Sequence, residues 1–396
     1  MLKALSLIIG LIALLSVVWT IIPAPAYSIW LFSVAASEWS LWLGWLGFIG
    51  VICSLAIPIF GGEGKLWLVS LAISFAALAI SLYPFFSVLP AAREQNVSLS
   101  FAQYFSGLQN NSTENKPEDF ATRTFLQIEG TDLQLDIYSP PENVAKNGAS
   151  VIVVHGGSWK SGERSDFPQW NRWLTEQGFT VFDVDYRLVP QPNYLTATGD
   201  VKCAVRWVKE HAAEFGVSPD RIALFGRSAG AHLALLAAYS AGDERLPASC
   251  AEKQQDEKIR AVVSFYAPTD LIWGYDNPAN QRVINGPATL ADFLGGSPHE
   301  SSEIRERFAL ASPVAHVSAR PPPTLLVHGG QDQLVRTENM FILSEKLKEA
   351  GAAHKTVFIP YAQHGFDYNF NGWGAQVAKT AMLDFLRENI VNNRLQ

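Results

Sequence analysis

The sequence predicts an α/β protein, a mostly parallel sheet flanked by helices and preceded by about three membrane-spanning helices. Three observations predict it. Uncharged apolar runs cover residues 4–22, 39–60 and 66–89. From residue 150 onward, short apolar strands alternate with helical patterns, which is the order of a parallel sheet. Finally, Gly226-Arg227-Ser228-Ala229-Gly230 stands where the apolar run Ile222 to Phe225 gives way to a small-residue helical stretch.

The apolar runs come first in the chain. Each approaches the roughly 20 residues that cross a bilayer core. Trp39, Trp42, Trp45 and Trp67 fall near their ends, where amphipathic rings favour the membrane–water interface. The first run has a second reading, because Lys3, an apolar stretch and Ala24-Pro25-Ala26 also fit a cleaved signal peptide. Lys3 and Lys65 share one side of a three-span topology, and the connecting loop 23–38 on the other side has no basic residue. The positive-inside rule then sets the N-terminus in the cytoplasm and the large domain on the exterior, periplasmic or extracellular. Cleavage after Ala26 gives the same outcome.

Lys3, Glu38, Glu63 and Lys65 cancel, so the formal charge of −7 belongs to residues 93–396, which argues against nucleic acid as a partner. Cys53 lies in the second run. Cys203 and Cys250 remain for the large domain, where an oxidising exterior permits a disulfide and two buried thiols are equally consistent.

The expected organisation is a transmembrane region at 1–92, a linker at 93–122 and an α/β domain at 123–396. The linker holds one short helix around Phe101, Tyr104, Phe105 and Leu108. Alternation of Leu133, Leu135 and Ile137 predicts an exposed antiparallel strand, turned at Gly130 from a partner at 125–128. Buried-type strands follow at 150–154, 180–184, 221–225, 260–265, 324–328 and 355–359. Helical patterns cover 168–177, 199–214, 229–241, 338–350 and 373–391. Residues 271–312 break the rhythm and read as a cap-like, pocket-lining insertion.

The chemistry centres on Ser228. A G-x-S-x-G turn between strand and helix is a nucleophile elbow, whose small flanking residues avoid collision with neighbouring backbone. At a helix N-terminus, the Ala229 amide can face a developing oxyanion. A serine needs a base, and that imidazole needs an orienting carboxylate. The strand 324–328 runs into Gly329-Gly330-Gln331-Asp332, making Asp332 the preferred acid, with Asp270 as rival. The strand 355–359 leads to Gln363-His364-Gly365-Phe366, making His364 the base. His211, His232, His299, His316 and His354 have no comparable setting, and no metal-ligand spacing such as H-E-x-x-H occurs. Upstream, His155-Gly156-Gly157-Ser158-Trp159 follows a strand. The amides of Gly157 and Ser158 are expected to complete the oxyanion hole with Ala229, His155 to brace the loop and Trp159 to line the cleft.

The order Ser228, Asp332, His364 is that of an α/β-hydrolase. Over about 120–393 the chain resembles the carboxylesterase branch, especially the BD-FAE-like esterases described as feruloyl and acetyl xylan esterases. The resemblance rests on His155-Gly156-Gly157-Ser158-Trp159 with Gly162, Asp183-Val184-Asp185-Tyr186-Arg187-Leu188, and Asp200 with Ala204-Val205-Arg206-Trp207. Ser218-Pro219-Asp220-Arg221-Ile222, the elbow, Ala311-Ser312-Pro313-Val314, His328 to Asp332, and His364-Gly365-Phe366 continue it. Hormone-sensitive-lipase-like enzymes and kynurenine formamidases share the His-Gly-Gly element. The chain departs from the lipase-like pattern at Ser158, where a third glycine is usual, and at Arg227, where an acidic residue is common.

The resemblance implies a serine esterase that forms an acyl-enzyme and needs no cofactor; the apolar runs, which lie outside the resemblance, are expected to anchor it in the membrane, and the absent ligand spacing predicts no metal. Its substrate would be a small-molecule, glycan or lipid ester, and membrane lipid would surround the N-terminal helices. Amide cleavage by a formamidase- or peptidase-like enzyme is the alternative chemistry, and a non-catalytic receptor or scaffold the alternative class. Trp159, Trp273, Tyr275 and Phe293 would suit an apolar or aromatic acyl group.

Overall fold

The structure, a computed structural model, describes residues 2–60, 64–106, 120–251, 256–317 and 321–392. Leu108, expected in the short helix of the linker, lies outside the described residues. Among the described residues, eight strands form one sheet: β1 (Ala121–Ile128), β2 (Thr131–Tyr138), β3 (Ser150–Val154), β4 (Thr180–Val184), β5 (Ile222–Arg227), β6 (Ala261–Phe265), β7 (Thr324–Gly329) and β8 (His354–Ile359). Their spatial order is β1-β2-β4-β3-β5-β6-β7-β8. The β1–β2 and β2–β4 pairings are antiparallel and the other five parallel.

β3, β4, β5 and β6 are buried at every residue, which is why they read as continuous apolar runs rather than alternations. Helices cover both faces of such a sheet. One face packs on α7 (Tyr194–Glu210) and α9 (Ala229–Tyr239), and the other on α6 (Pro168–Glu176) and α14 (Trp373–Leu386). β2 corrects the expectation of an exposed strand. It lies between β1 and β4 and is buried over most of its length, because a strand paired on both edges is no longer a rim.

At the N-terminus, Lys3–Thr20, Ser40–Ile59 and Leu66–Glu94 are long and apolar enough to cross a membrane. They belong to α1 (Leu2–Val17) with one following 3₁₀ turn, α3 (Ser40–Ile59) and α4 (Leu66–Glu94). Small and hydroxylated residues join them. A Cβ on Gly47 would stand 3.0 Å from the Leu78 amide nitrogen. The Ser6 hydroxyl meets those of Ser54 at 2.7 Å and Ser70 at 2.5 Å. Close backbone approach and interhelical hydroxyl bonds are how helices associate where apolar burial gives no net drive. Their outer faces leave Ile12, Leu15, Trp45 and Phe75 exposed.

Residues 23–38, expected as a connecting loop, instead contain a helix, α2 (Tyr27–Glu38). Its period is present in the chain: Tyr27, Trp30, Leu31 and Val34 recur at helical spacing, but Pro23, Pro25 and three serines disguise it. The region after α4 is tied to the sheet as well. Val88, Ala91 and Ala92 of α4 share a core with Phe179 and Trp373. Tyr104 of α5 (Phe101–Ser106) stacks on Trp373 with ring centroids 4.2 Å apart.

Residues 271–312 form α10 (Leu271–Asp276), α11 (Gly286–Leu294) and α12 (Ser302–Leu310). Asp270, Asn285 and Ser301 accept the amides of Trp273, Ala288 and Ile304 and start them. Cys203 in α7 and Cys250 are joined by a disulfide, the alternative that the sequence alone left open.

Candidate active site

β5 passes into α9 through Ser228, which has φ 54° and ψ −122°, a conformation that non-glycine residues rarely adopt and that persists only when surroundings enforce it. The surroundings are backbone. A Cβ on Gly226 would lie 2.3 Å from the Gly230 carbonyl oxygen, and one on Gly230 would lie 2.2 Å from the carbonyl oxygens of Val154 and His155. The Ser228 amide donates to the Phe265 carbonyl at 2.9 Å, fastening the turn to β6.

The loop after β3 comes against this turn, with Gly156 packed on the Arg227 carbonyl and Ser228 Cβ. Gly157 has φ +114°, and a Cβ there would fall 1.9 Å from the Ser161 carbonyl oxygen. The amides of Lys160 and Ser161 donate back to the Gly157 carbonyl at 3.1 and 3.0 Å. The backbone of Gly157 and Ser158 is thereby held beside Ser228, at one end of α9.

On the far side, Gly330 and Gln331 donate to the carbonyls of Ile359 and Ala362 at 2.9 and 3.0 Å, so the turns after β7 and β8 travel together. His364 Nδ1 then lies 2.7 Å from Asp332 Oδ2. A carboxylate accepts only, so Nδ1 carries the proton and Nε2 is left as the basic nitrogen. The amides of Leu334 and Val335 donate to Asp332 Oδ1 at 2.8 and 2.9 Å. His328 Nε2 donates to Oδ2 at 3.1 Å. Burial alone would push the Asp332 carboxyl up, but the charge and hydrogen bonds of His364 and His328 hold it well below the usual carboxylate range. Asp270, the rival acid, instead caps α10.

Arg227 is buried and its Nε meets Asp367 Oδ2 at 2.5 Å. Its guanidinium lies over the ring of Phe167, 4.0 Å from the centroid. Asp367 also accepts from the Tyr266 hydroxyl at 2.5 Å, and the Tyr266 ring packs on His364 with centroids 4.4 Å apart. The position where an acidic residue is common thus holds a cation already neutralised by a buried partner.

His155 stacks on Tyr186 at 4.3 Å, and its Nδ1 donates to the Gly156 carbonyl at 2.7 Å. Burial lowers its pKa. His232, which no motif singles out, is a second brace. Trp159 Nε1 donates to its Nδ1 at 3.2 Å and its Nε2 donates to the Ala311 carbonyl at 2.7 Å. Burial brings its pKa down to about 4, so the ring is neutral. Only the distant partners Trp159 and Ala311 identify it, and sequence spacing cannot.

Two cavities open on Ser228. Under the cap lies one of about 70 Å³, lined by Ser158, Trp159, Ala229, Thr289, Leu290 and Val335 among others. Of the four aromatics expected to face an acyl group, Trp159 lines it. Phe293 stacks beneath Trp159 at 4.2 Å, and Trp273 and Tyr275 are not among its lining residues. A second, open groove holds both Ser228 and His364 and is walled on its other side by α2.

Residues 135–347 match the BD-FAE family profile. Esterase LipQ of Mycobacterium tuberculosis is 33% identical over 65% of this chain and 59% of its own length, and the probable carboxylic ester hydrolase LipM of that organism is 30% identical over 64% and 58%. The chain therefore spans just under three fifths of the curated relatives it matches. A thermophilic esterase from the Planctomycetes species Thermogutta terrifontis superposes with a TM-score of 0.57 at 27% identity, covering 70% of this chain and 95% of that one. Esterase 2 of the same species, phosphonylated by sarin, gives 0.58 at 26%, covering 70% and 97%. With the family profile matching more than half of its residues, this chain belongs to the BD-FAE family.

Proposed function

We propose that this protein is a membrane-anchored serine carboxylesterase. Ser228 Oγ attacks the ester carbonyl carbon while His364 Nε2 takes its proton, and Asp332 holds the imidazole in the required tautomer and offsets its positive charge. The amides of Gly157, Ser158 and Ala229 receive the oxyanion, a contribution of about 3 kcal/mol per donor in comparable sites. The alcohol leaves with the proton from His364, and water releases the acyl group from Ser228. The observation that carries this reading is the 2.7 Å Asp332–His364 contact beside a serine held in a strained elbow and sharing a groove with that histidine. Relatives named esterases, one of them phosphonylated by sarin, support it.

α1, α3 and α4 anchor the enzyme in the bilayer and hold the α/β domain on the exterior face, the side that the distribution of Lys3 and Lys65 favours. The test is hydrolysis of p-nitrophenyl acetate by the full chain in detergent, wild type beside Ser228→Ala. Activity in the wild type and its loss in a folded Ser228→Ala protein is the expected result. Equal activity in both would remove Ser228 from the mechanism.

A further inference from the structure

Ser228 stands where the two cavities meet, and the two are not equivalent. Ala229 lines the pocket under the cap and not the groove, His364 and Tyr266 line the groove and not the pocket, and Ser158 borders both. In ester cleavage the bond that forms joins Ser228 Oγ to the acyl carbon, and the bond that breaks joins that carbon to the alkoxy oxygen. The proton held by His364 passes to this oxygen, so the departing alcohol occupies the compartment that His364 lines. The acyl chain is left with the pocket under the cap.

The far wall of the groove is made by Tyr27, Trp30, Leu31 and Val34 of α2. They repeat at three- and four-residue steps, so one face of α2 looks at the catalytic residues. Tyr27 and Leu31 are 54% and 50% exposed, leaving the apolar wall open along the groove. α2 is also built into the domain rather than loosely tethered to it. At its start the Ala24 amide donates to Gln333 Oε1 at 2.7 Å and Asn280 donates to the Ala24 carbonyl at 2.6 Å. At its end Asn369 donates to the Glu38 carbonyl at 3.0 Å. Because α2 lies between α1 and α3, two helices long and apolar enough to span, the membrane-anchored reading puts this wall where those spans leave the bilayer.

We infer that the substrate is an ester of a membrane-resident alcohol. The apolar alcohol chain lies along α2 while still continuous with the bilayer, and the acyl group enters the pocket under the cap. This rests on the serine carboxylesterase reading above.

The test uses the full chain in phosphatidylcholine nanodiscs carrying hexadecyl acetate or ethyl palmitate at equal surface density, with p-nitrophenyl acetate as the soluble ester. The wild type is expected to cleave hexadecyl acetate about tenfold faster than ethyl palmitate. Leu31→Asp, a charge set into an exposed part of the apolar wall, is expected to lower the hexadecyl acetate rate about tenfold relative to that of p-nitrophenyl acetate. Ser28→Asp, exposed on the same helix but outside the groove lining, is expected to change neither. Preference for ethyl palmitate, or an equal loss on both substrates in Leu31→Asp, overturns the inference. So does a wild type that cleaves p-nitrophenyl acetate but not hexadecyl acetate, and that outcome leaves the esterase standing. A folded wild type inert toward every ester overturns the esterase reading and this inference with it.

Discussion

The side chains of Gln333 and Gln363 meet at 3.1 Å, the first donating through Nε2 to Oε1 of the second. Gln333 follows Asp332 and Gln363 precedes His364, so this bond ties together the two turns that carry the proposed acid and base. Gln333 Oε1 also accepts from the Ala24 amide and from Asn280 at 2.7 and 2.8 Å. The joint of the two turns is therefore also the point where the segment leading into α2 docks.

Gln333→Ala severs all three bonds while leaving both reacting side chains in place. Lost buried hydrogen bonds are worth about 1–3 kcal/mol each when a partner is stranded, and small displacements of reacting groups are costly. The expected outcome is a kcat lower by about tenfold with KM for p-nitrophenyl acetate within about twofold, together with a lower Tm. An unchanged kcat would show that the backbone bonds of Gly330 and Gln331 alone keep the two turns in register.

Asp332→Asn keeps the shape of the side chain but removes the charge and offers an amide toward His364. The imidazole then has reason to reverse its tautomer, which deprives Ser228 of its base. A loss of about 10³–10⁴ in kcat is expected, as for triads in general, with the fold retained through the backbone bonds to the remaining amide oxygen. Steady-state rates with p-nitrophenyl acetate and a far-ultraviolet spectrum read both halves. A loss below tenfold would point to another carboxylate as the orienting group.

Gly157→Ala tests the loop opposite the elbow. The new Cβ would fall 1.9 Å from the Ser161 carbonyl at a φ of +114°, so the turn must open and carry the Gly157 and Ser158 amides with it. Because donors of this kind act on the transition state, kcat should fall by about 10²-fold or more with little change in KM. A matched rise in KM instead would mean that the loop binds the ground state.

What was legible in the chain follows from range. Asp332 and His364 each close a strand-to-turn motif that can be read within about ten residues, and the structure brings them into contact because the ends of β7 and β8 are neighbours in a parallel sheet. The buried strands were legible because short, mostly apolar runs between turn residues suit a sheet covered on both faces. α2 was hidden because its serines and the two prolines before it weigh toward a loop, while its partners Val283 and Leu334 lie some 250 residues away or more. Arg227 looked like a departure from pattern until Asp367, 140 residues on, supplied its counter-charge.

His232 gives a pH dependence whose sign is fixed by its burial. Its folded pKa is lowered to about 4, below the roughly 6.5 of an unfolded histidine. The unfolded chain therefore binds a proton first as pH falls. The stabilising contribution is complete above about 6.5, declines between about 6.5 and 4, and is spent below that, a total of about 3 kcal/mol. Other buried groups titrate in the same range, so the quantity to measure is the stability difference between the wild type and His232→Gln. At neutral pH the variant is the less stable, having lost the Trp159–His232 geometry that couples the loop after β3 to α9. On acidification to pH 4 the difference should move by about 3 kcal/mol in favour of the variant. Parallel unfolding curves for the two proteins from pH 7 to pH 4 would mean that His232 is protonated in place, and that the bond from Trp159 does not require its neutral form.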